Sequence, residues 1–335
     1  MSNPLVSICI PTYNGSGFLR KTIESCLSQT YGNFELIIND DCSSDDTLKI
    51  AEEYAKKDNR IKINLNAVNL GLVGNWNEVL NQSSGNWIKI LFQDDWMEPN
   101  CIEIMLKQAQ QNADSVIISK RSYVFSEDVP KEIKKYYIDN VKKLDVSSGN
   151  TATFFSSKEI AKVFSNSIGL NFIAEPSLTF FSKKLFKSVG DFDVNFIQVC
   201  DLEHILRMAS QSGVVLLNSQ LTHFNVHQKS TTSKNISVHN FQIRFFEVPL
   251  LINKIRTNMA FLGLRSGFSF MDKLRMFFYI KLRAFEALTV SKRDVSLTTK
   301  YNELLNRFSF MKIKPIERVF LFPLSILANK RISKK

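Results

Sequence analysis

The chain has 335 residues, of which 44% are hydrophobic and 22% charged, a balance typical of a folded globular protein. Its five cysteines are scattered and form no CxxC pair, which argues against a disulfide framework or a zinc site and fits a reducing cytoplasm. The first residues show no secretory signal, and no apolar run reaches the roughly 18 residues of a membrane-spanning helix. We therefore expect a cytoplasmic protein.

The net charge of +11 is concentrated in the last third of the chain. From Ile236 onward there are 19 Lys and Arg against 6 Asp and Glu, a balance of +13, whereas the first 235 residues carry −2. Two basic, amphipathic stretches, Phe268 to Thr289 and Arg318 to Lys335, could lie on an anionic membrane surface. Alternatively they pack on the rest of the protein and show a basic face. Nucleic acid is not an expected partner, because no recognised binding motif accompanies the charge.

The first hundred residues alternate strands with helical patterns. Four apolar runs read as strands: Leu5 to Ile10, Phe34 to Ile38, Ile61 to Leu65 and Trp87 to Phe92. Helical spacing follows in Phe18 to Ser28, in a segment ending near Lys57, and in Val73 to Gln82. This alternation predicts an α/β fold with a mainly parallel, doubly wound sheet. The absence of GxGxxG and of GKS or GKT counts against a dinucleotide fold and a P-loop.

Two adjacent carboxylates, Asp94 and Asp95, come directly after the fourth predicted strand. In open α/β sheets the carboxyl ends of the strands line the ligand crevice. Neighbouring carboxylates repel each other, so a cation is expected opposite them, and a divalent ion that also binds a diphosphate would suit. A solvated Asp-Asp turn is the alternative. Asp40 and Asp46, after the second strand, are expected to cap or to face solvent, whereas Asp41 is better placed for a ligand.

Several motifs in order resemble those of a family 2 glycosyltransferase with the GT-A fold, over roughly the first 230 residues. They are Pro11-Thr12-Tyr13-Asn14, Asn39-Asp40-Asp41-Cys42-Ser43, Asn69-Leu70-Gly71 with Asn77 and Gly85, and Gln93-Asp94-Asp95. The strength of the resemblance lies in their order and spacing. It implies a domain at residues 1–235, with a nucleotide-sugar half (1–100) and an acceptor half (101–235), followed by a basic helical region at 236–335.

The resemblance also implies a set of donor-binding residues. Nucleotide-sugar contacts are expected from Pro11 through its backbone, Tyr13, Asn14, Asp41, Asn77 and Asp94, and contacts to Mg²⁺ or Mn²⁺ from Asp95 and His227. The chain departs from the family pattern at Phe92, where the family has Asp, and at Trp76, where Arg is frequent.

The acceptor half is expected to supply the general base. Asp201 opens a predicted helix, where the helix dipole favours an ionised acid, and it matches the acid that serves as base in the family. As the alternative, Asp201 is only a helix cap. Glu175, Asp191 and Glu203 are further acceptor-side candidates by resemblance. Residues 97–111 are expected to be helical and residues 120–150 to form a variable loop, in which Tyr136 and Tyr137 could stack on sugars.

These inferences predict an inverting, metal-dependent glycosyltransferase. The expected donor is a nucleotide-diphosphate sugar, a uridine diphosphate sugar first of all, and the expected acceptor is a lipid-linked oligosaccharide of bacterial O-antigen or capsule synthesis. The protein would then sit peripherally on the inner face of the cell membrane. The alternative is a non-catalytic protein of the same fold that binds sugar nucleotides or acts as a scaffold.

Overall fold

The structure, a computed structural model, describes residues 3–112, 114–135, 137–138, 144, 150–228, 230, 243–292 and 295–313. The strands are β1 Val6–Thr12, β2 Phe34–Asp40, β3 Ile61–Leu65, β4 Trp87–Ile90, β5 Trp96–Met97, β6 Val116–Ile118, β7 Tyr123–Phe125, β8 Ala152–Phe155, β9 Thr179–Ser182, β10 Val214–Leu217 and β11 Thr222–Val226. The helices are α1 Leu19–Leu27, α2 Thr47–Ala55, α3 Gly71–Asn81, α4 Cys101–Gln111, α5 Lys131–Lys135, α6 Ser157–Asn166, α7 Lys183–Val189, α8 Cys200–Ser212, α9 Val248–Thr257, α10 Leu262–Gly267, α11 Phe270–Ser291 and α12 Val295–Arg307.

The central sheet has eight strands in the order β3-β2-β1-β4-β9-β6-β10-β8. Strands β3, β2, β1 and β4 are parallel neighbours, as are β6 and β10. Strand β9 runs antiparallel to both β4 and β6, and β8 runs antiparallel to β10. The predicted α/β class with a mainly parallel sheet is confirmed.

Both faces of the sheet are covered by apolar side chains. Every residue of β1 and β2 is buried, and alternate residues of β1 enter different clusters, with Cys9 in one and Ile8 and Ile10 in the other. Such continuous apolar strands are expected where helices cover both faces of a parallel sheet. The sheet therefore provides a rigid support for the loops at the carboxyl ends of its strands.

A second, three-stranded sheet has the order β5-β11-β7. Strand β11 pairs antiparallel with β5 and parallel with β7. This sheet corrects two predictions. Helix α4 begins at Cys101 rather than at Met97, because Met97 pairs with Thr222 of β11. The predicted loop at 120–150 contains strand β7 and helix α5, and Tyr137 is buried against Tyr123, whereas Tyr136 lies outside the described residues.

The described part of the basic C-terminal region packs on α8 and its neighbours. Leu251, Ile252 and Ile255 of α9 belong to the same apolar cluster as Leu202 of α8. The Glu247 carboxylate accepts hydrogen bonds from the backbone N–H groups of residues 197–199 at 2.8–3.1 Å. Within the part of the chain described here, no helix combines the length and apolarity needed to cross a membrane.

Candidate active site

Asp94 and Asp95 lie in the turn between β4 and β5. Asp95 is 1% exposed, and its Oδ1 accepts a hydrogen bond from the backbone N–H of Asn225 at 2.9 Å. Burial, and next the charge of Asp94, raise the pKa of Asp95 well above its usual value, although the nearby Ser177 hydroxyl opposes this rise. Among the described residues, no donor reaches the buried Asp95 Oδ2 with hydrogen-bonding geometry. Negative charge on both carboxyl groups of this turn is therefore unfavourable unless a cation stabilises it.

His227 contacts this turn from the end of β11. Its Nε2 lies 2.8 Å from Asp94 Oδ2, and its ring packs on Phe18 with centroids 4.4 Å apart. The pairing of β11 with β5 brings the two residues together although they are 133 positions apart in the chain. The structure thus brings His227 into contact with Asp94, the residue next to Asp95.

The set of donors at this turn fits a divalent cation that is also bound by a substrate. Among the described residues, no three His, Cys, Asp or Glu side chains converge closely enough to hold a metal ion. Mg²⁺ and similar ions, however, are commonly bound by one or two carboxylates together with phosphate oxygens and water. Asp94 and the free Oδ2 of Asp95 suit that arrangement, whereas His227 Nε2 is already engaged by Asp94.

The predicted turn at Tyr13 and Asn14 lies beside the carboxylate pair. The Gln93 side chain accepts a hydrogen bond from the Tyr13 backbone N–H at 2.9 Å and donates one to its carbonyl at 3.1 Å. Asn14, at φ +47°, accepts a hydrogen bond from the Ser44 N–H at 2.8 Å. The Tyr13 backbone is therefore held at Gln93, the residue before Asp94, and the Tyr13 side chain is half-exposed. Pro11 is a buried residue of β1 in register with Asn39.

Asp41 is buried at the end of β2. Its Oδ1 accepts hydrogen bonds from the Asn66 amide and the Leu70 N–H, both at 2.7 Å, and its Oδ2 accepts one from the Gly71 N–H at 3.0 Å. Asp41 thus binds free N–H groups at the start of α3. Because a carboxylate has about four acceptor sites, one site on Oδ2 remains for a ligand.

A buried amide network underlies these loops. The Asn39 side chain donates to Asn66 Oδ1 at 3.0 Å and to Asn75 Oδ1 at 2.7 Å. The Asn75 amide in turn donates to the Thr12 carbonyl at 3.0 Å. Buried amides with complete hydrogen bonding fix a single arrangement, so β1, β2 and α3 hold the donor-side loops together.

Asp201 lies in the first turn of α8, and the structure gives it specific partners. Its Oδ2 accepts a hydrogen bond from the Asn171 amide at 3.0 Å, and its Oδ1 accepts one from the Leu202 N–H at 2.6 Å. The pKa of Asp201 is raised to about 7, chiefly by burial and also by the charge of Glu175, against the opposing effects of the Leu202 N–H and Arg121. A carboxyl group with that pKa can exchange a proton near neutral pH.

Glu175 and Arg121 form a buried ion pair beside Asp201. Arg121 Nε lies 3.0 Å from Glu175 Oε2, and the same guanidinium donates to the Asn171 carbonyl at 3.0 Å. The Tyr123 hydroxyl donates to Glu175 Oε1 at 2.9 Å. Asn171 therefore contacts both Arg121 and Asp201, and these residues form one hydrogen-bonded cluster, which we call the acceptor cluster: Arg121, Tyr123, Asn171, Glu175 and Asp201.

The carboxylate turn and the acceptor cluster are joined by short connections. Ser177, two residues after Glu175, accepts a hydrogen bond on Oγ from the Phe92 N–H at 3.0 Å. The fully buried Lys89 of β4 donates to the Ser177 carbonyl. Burial lowers the pKa of this lysine. On the other side, Tyr123 of β7 is in register with Phe224 of β11, next to Asn225.

Three predicted site residues, Asn77, Asp191 and Glu203, bind side chains or backbone groups of other elements of the protein. The Asn77 side chain bonds the backbone of Phe192 through both ends of its amide, at 2.8 and 2.9 Å. Asp191 is exposed, and its Oδ1 lies 3.3 Å from the Asn81 amide. Glu203 is fully buried and pairs with Arg207 and Lys254, each at 2.7 Å. The Asn77 and Asp191 contacts tie the turn before α8 to α3, and the Glu203 ion pairs tie α8 to α9.

Sequence reasoning missed several residues of the site. Arg121, Asn171 and Gln93 contact the predicted residues Glu175, Asp201 and Tyr13, and Lys89 binds the Ser177 carbonyl. Of these, only Lys89 carried a signal, because a lysine inside an apolar strand has to find buried acceptors. The others lie in polar segments without periodicity, where nothing separates a buried partner from a solvated side chain.

Comparisons with known proteins agree with the fold and the motifs. Residues 7–166 match the family model described as Glycosyl transferase family 2. The putative glycosyltransferase EpsH of Bacillus subtilis is 40% identical over 117 residues, 35% of this chain and 34% of the relative. The GalNAc(5)-diNAcBac-PP-undecaprenol beta-1,3-glucosyltransferase of Campylobacter jejuni is 35% identical over 109 residues, 32% of this chain and 35% of the relative. The matches thus span about a third of these relatives.

Two solved structures share the fold at low sequence identity. Residues 1–349 of Staphylococcus aureus TarS in complex with UDP-GlcNAc superpose with a TM-score of 0.57 and 15% identity, covering 83% of this chain and 80% of that one. The mannosyltransferase PcManGT of Pyrobaculum calidifontis, in complex with GDP-Man and Mn²⁺, superposes with a TM-score of 0.55 and 13% identity, covering 93% and 86%. The chain thus has the GT-A fold, and its residues 7–166 match glycosyl transferase family 2.

Proposed function

We propose that this protein is an inverting, metal-dependent glycosyltransferase that transfers a sugar from a nucleotide diphosphate to an acceptor hydroxyl. The expected donor is a uridine diphosphate sugar, and the expected acceptor is a lipid-linked oligosaccharide of bacterial O-antigen or capsule synthesis. The reaction would take place in the cytoplasm, with the protein peripheral on the inner face of the cell membrane. The Campylobacter relative, named for an undecaprenol-linked substrate, and the TarS complex with UDP-GlcNAc support this proposal.

The observation that carries the proposal is the pair of connected acidic clusters. Asp94 and Asp95 lie at the carboxyl end of β4, and Asp201 lies in the acceptor cluster. Ser177 bridges them, since its hydroxyl binds the Phe92 N–H while Glu175, two residues earlier, binds Arg121. A sugar held between the two clusters would have its diphosphate toward the carboxylate turn and its opposite face toward Asp201.

Asp201 is the general base in this mechanism. Its carboxylate removes the proton from the acceptor hydroxyl, which attacks the anomeric carbon from the face opposite the nucleotide. The bond to the diphosphate breaks as the new glycosidic bond forms, and the transition state has oxocarbenium character. Asn171 orients Asp201, and Arg121 orients Asn171, so both act as positioning residues.

The donor side binds and orients the nucleotide diphosphate. The half-exposed Tyr13 ring offers a surface for the base, and the remaining acceptor site of Asp41 can take a hydrogen bond from the base or ribose. Asp94 and Asp95 would hold Mg²⁺ or Mn²⁺, which neutralises charge on the departing diphosphate when bound. Mn²⁺ with GDP-Man in the PcManGT structure supports this assignment.

The pH dependence of the reaction should report the Asp201 carboxyl group. Only the deprotonated form accepts a proton, so kcat/KM should rise with pH and level off above an inflection near the Asp201 pKa of about 7. Because the Glu175 charge raises that pKa, Glu175→Gln should move the inflection to lower pH; because Arg121 lowers it, Arg121→Met should move it to higher pH. Steady-state rates across the pH range test this, and an inflection insensitive to both substitutions would contradict the assignment.

Removal of divalent ions should abolish turnover and weaken donor binding. We expect EDTA-treated protein to bind a uridine diphosphate weakly and Mn²⁺ to restore binding, because the diphosphate would otherwise meet two uncompensated carboxylates. Asp95→Asn should lose this Mn²⁺ dependence. Isothermal titration calorimetry with and without Mn²⁺ measures the effect, and Glu98→Gln, a half-exposed acid four residues from Asp94, is the matched control. Equal affinity in EDTA and in Mn²⁺ would rule out a metal at this turn.

The rival proposal is a sugar-nucleotide-binding scaffold without turnover. Incubation of the pure protein with several nucleotide sugars and Mn²⁺ separates the two, because an enzyme of this kind releases free nucleotide, slowly to water and faster to a suitable acceptor. Release that depends on Asp201 supports the enzyme. Tight nucleotide binding without release, with or without membrane extract, would favour the scaffold.

A further inference from the structure

Helix α11 has two apolar faces, and only one of them is buried. Met276, Ile280, Ala284 and Ala287 follow helical spacing and pack in the main core. A second set on the other side of the helix is exposed: Phe270 at 77%, Met271 at 62%, Phe277 at 39% and Phe278 at 47%. Residues seven positions apart lie on the same helix face, so Phe270 and Phe277, and Met271 and Phe278, form one continuous exposed strip. We call these four residues the α11 strip.

The α11 strip differs from scattered exposed apolar residues. Phe277 and Phe278 contact each other with ring centroids 5.8 Å apart, and the Lys281 ammonium lies 5.8 Å from the Phe277 ring. The half-buried Leu274 continues the strip between its two ends. A contiguous patch of large apolar side chains with a charged rim marks a contact surface, because leaving it in water is unfavourable.

Helix α11, which carries the strip, is basic. It contains four Lys and Arg against two acids, Asp272 and Glu286. Both acids are engaged within the protein, since Asp272 caps α11 through Ser269 and Glu286 pairs with Arg283 at 2.8 Å. Lys273 is exposed, and the Arg275 side chain is half-exposed although its guanidinium also donates to the end of α6. An occupant of this surface therefore has to combine negative charge with an apolar interior.

We propose that the α11 strip lies in the interface of an anionic phospholipid bilayer, with its four side chains among the acyl chains and Lys273 and Arg275 on the headgroups. A helix with a polar flank and a strip of Phe and Met binds in the plane of such an interface. The inference rests on the proposed function in one respect, namely that the protein would bind its lipid-linked acceptor at the bilayer surface. Contact with a second protein is the alternative outcome of the test.

The test is flotation of the full-length protein with vesicles of phosphatidylcholine alone and of phosphatidylcholine with phosphatidylglycerol. We expect binding to the anionic vesicles that weakens as salt is raised and is much weaker on the neutral ones. The double variant Phe270→Ser/Phe278→Ser should have a vesicle–water partition coefficient that is lower by roughly a hundredfold, because each ring removed from the acyl region costs about tenfold. Leu65→Ser, at a 59% exposed position at the end of edge strand β3, should bind as the unchanged protein does.

Substitution is preferable to truncation because α9 and α11 share the core with the acceptor half. Three outcomes would overturn the inference: the protein does not bind anionic vesicles, it binds both vesicle types equally, or the double variant binds as the unchanged protein does. So would a dimer in sedimentation that the same double substitution dissociates, since the strip would then be a protein interface. Nucleotide release in detergent-free buffer tests the proposed function separately. Nucleotide release without vesicle binding refutes only the membrane inference, and vesicle binding without nucleotide release refutes only the proposed enzymatic function.

Discussion

Asp201→Asn should reduce kcat by ~10² or more while leaving the affinity for the nucleotide sugar unchanged. The amide fills the same space, and its oxygen can keep the hydrogen bond from the Leu202 N–H. Its NH2 group, however, replaces the Oδ2 that accepts from the Asn171 amide, and the side chain can no longer accept the acceptor proton. Steady-state rates give kcat, and calorimetry with the nucleotide gives the donor affinity. Asp114→Asn, which removes an exposed carboxylate paired only loosely with Lys184 at 3.7 Å, is the control and should keep full activity.

The same variant provides a check on its folding. Because burial raises the pKa of Asp201 to about 7, the charged carboxylate destabilises the folded protein at pH values above that pKa. Replacing it with a neutral amide removes this cost, so the melting temperature of Asp201→Asn at pH 8 should equal or exceed that of the unchanged protein. A fold that is intact together with unchanged turnover would remove Asp201 from the mechanism.

Glu203→Gln should lower the free energy of unfolding by about 3–5 kcal/mol, the usual effect of removing one partner from a buried ion pair. Glu203 is fully buried, and its carboxylate lies 2.7 Å from both the Arg207 and the Lys254 side-chain nitrogens. Without its charge, the buried Arg207 would lose the carboxylate that compensates it, while Lys254 would keep its pair with Asp193 at 2.6 Å. Denaturant unfolding followed by circular dichroism measures the change.

The matched control is Glu53→Gln, which removes the acid from an exposed ion pair with Arg20 at 2.7 Å. Exposed pairs contribute about 0–1 kcal/mol, so this variant should be close to the unchanged protein. If Glu203 has a structural role, the KM values of the folded Glu203→Gln protein at low temperature should be normal. A stable Glu203→Gln protein with a raised acceptor KM would instead return Glu203 to the acceptor site, as the motif resemblance had predicted.

The first four strands could be predicted from sequence because β1, β2 and β4 are mostly apolar runs and β3 alternates apolar and polar residues. The predicted bounds of the third strand, Ile61–Leu65, are the observed ones. Strand β5 could not be predicted: Trp96 and Met97 are extended only because β11, about 125 residues later, pairs with them. A two-residue strand has no periodicity of its own, so the helical pattern after Met97 dominated the prediction.

The departures from the family pattern are explained by a contact that sequence alone does not show. Phe92 and Trp76, which replace the usual Asp and Arg, stack on each other with ring centroids 4.7 Å apart. Trp76 also packs edge-on against Phe192 at 5.3 Å. An aromatic cluster at this position therefore stands where the family pattern has two charged residues, and the neighbouring Asp94 and Asp95 are retained.

The most direct measurement is a crystal structure of the protein with Mn²⁺ and an unreactive uridine diphosphate sugar. The account predicts that the diphosphate binds at Asp94 and Asp95 through the metal, and that the opposite face of the anomeric carbon points toward Asp201 with space for one hydroxyl between them. A sugar whose open face points away from Asp201, or a nucleotide bound away from the β4 turn, would contradict it.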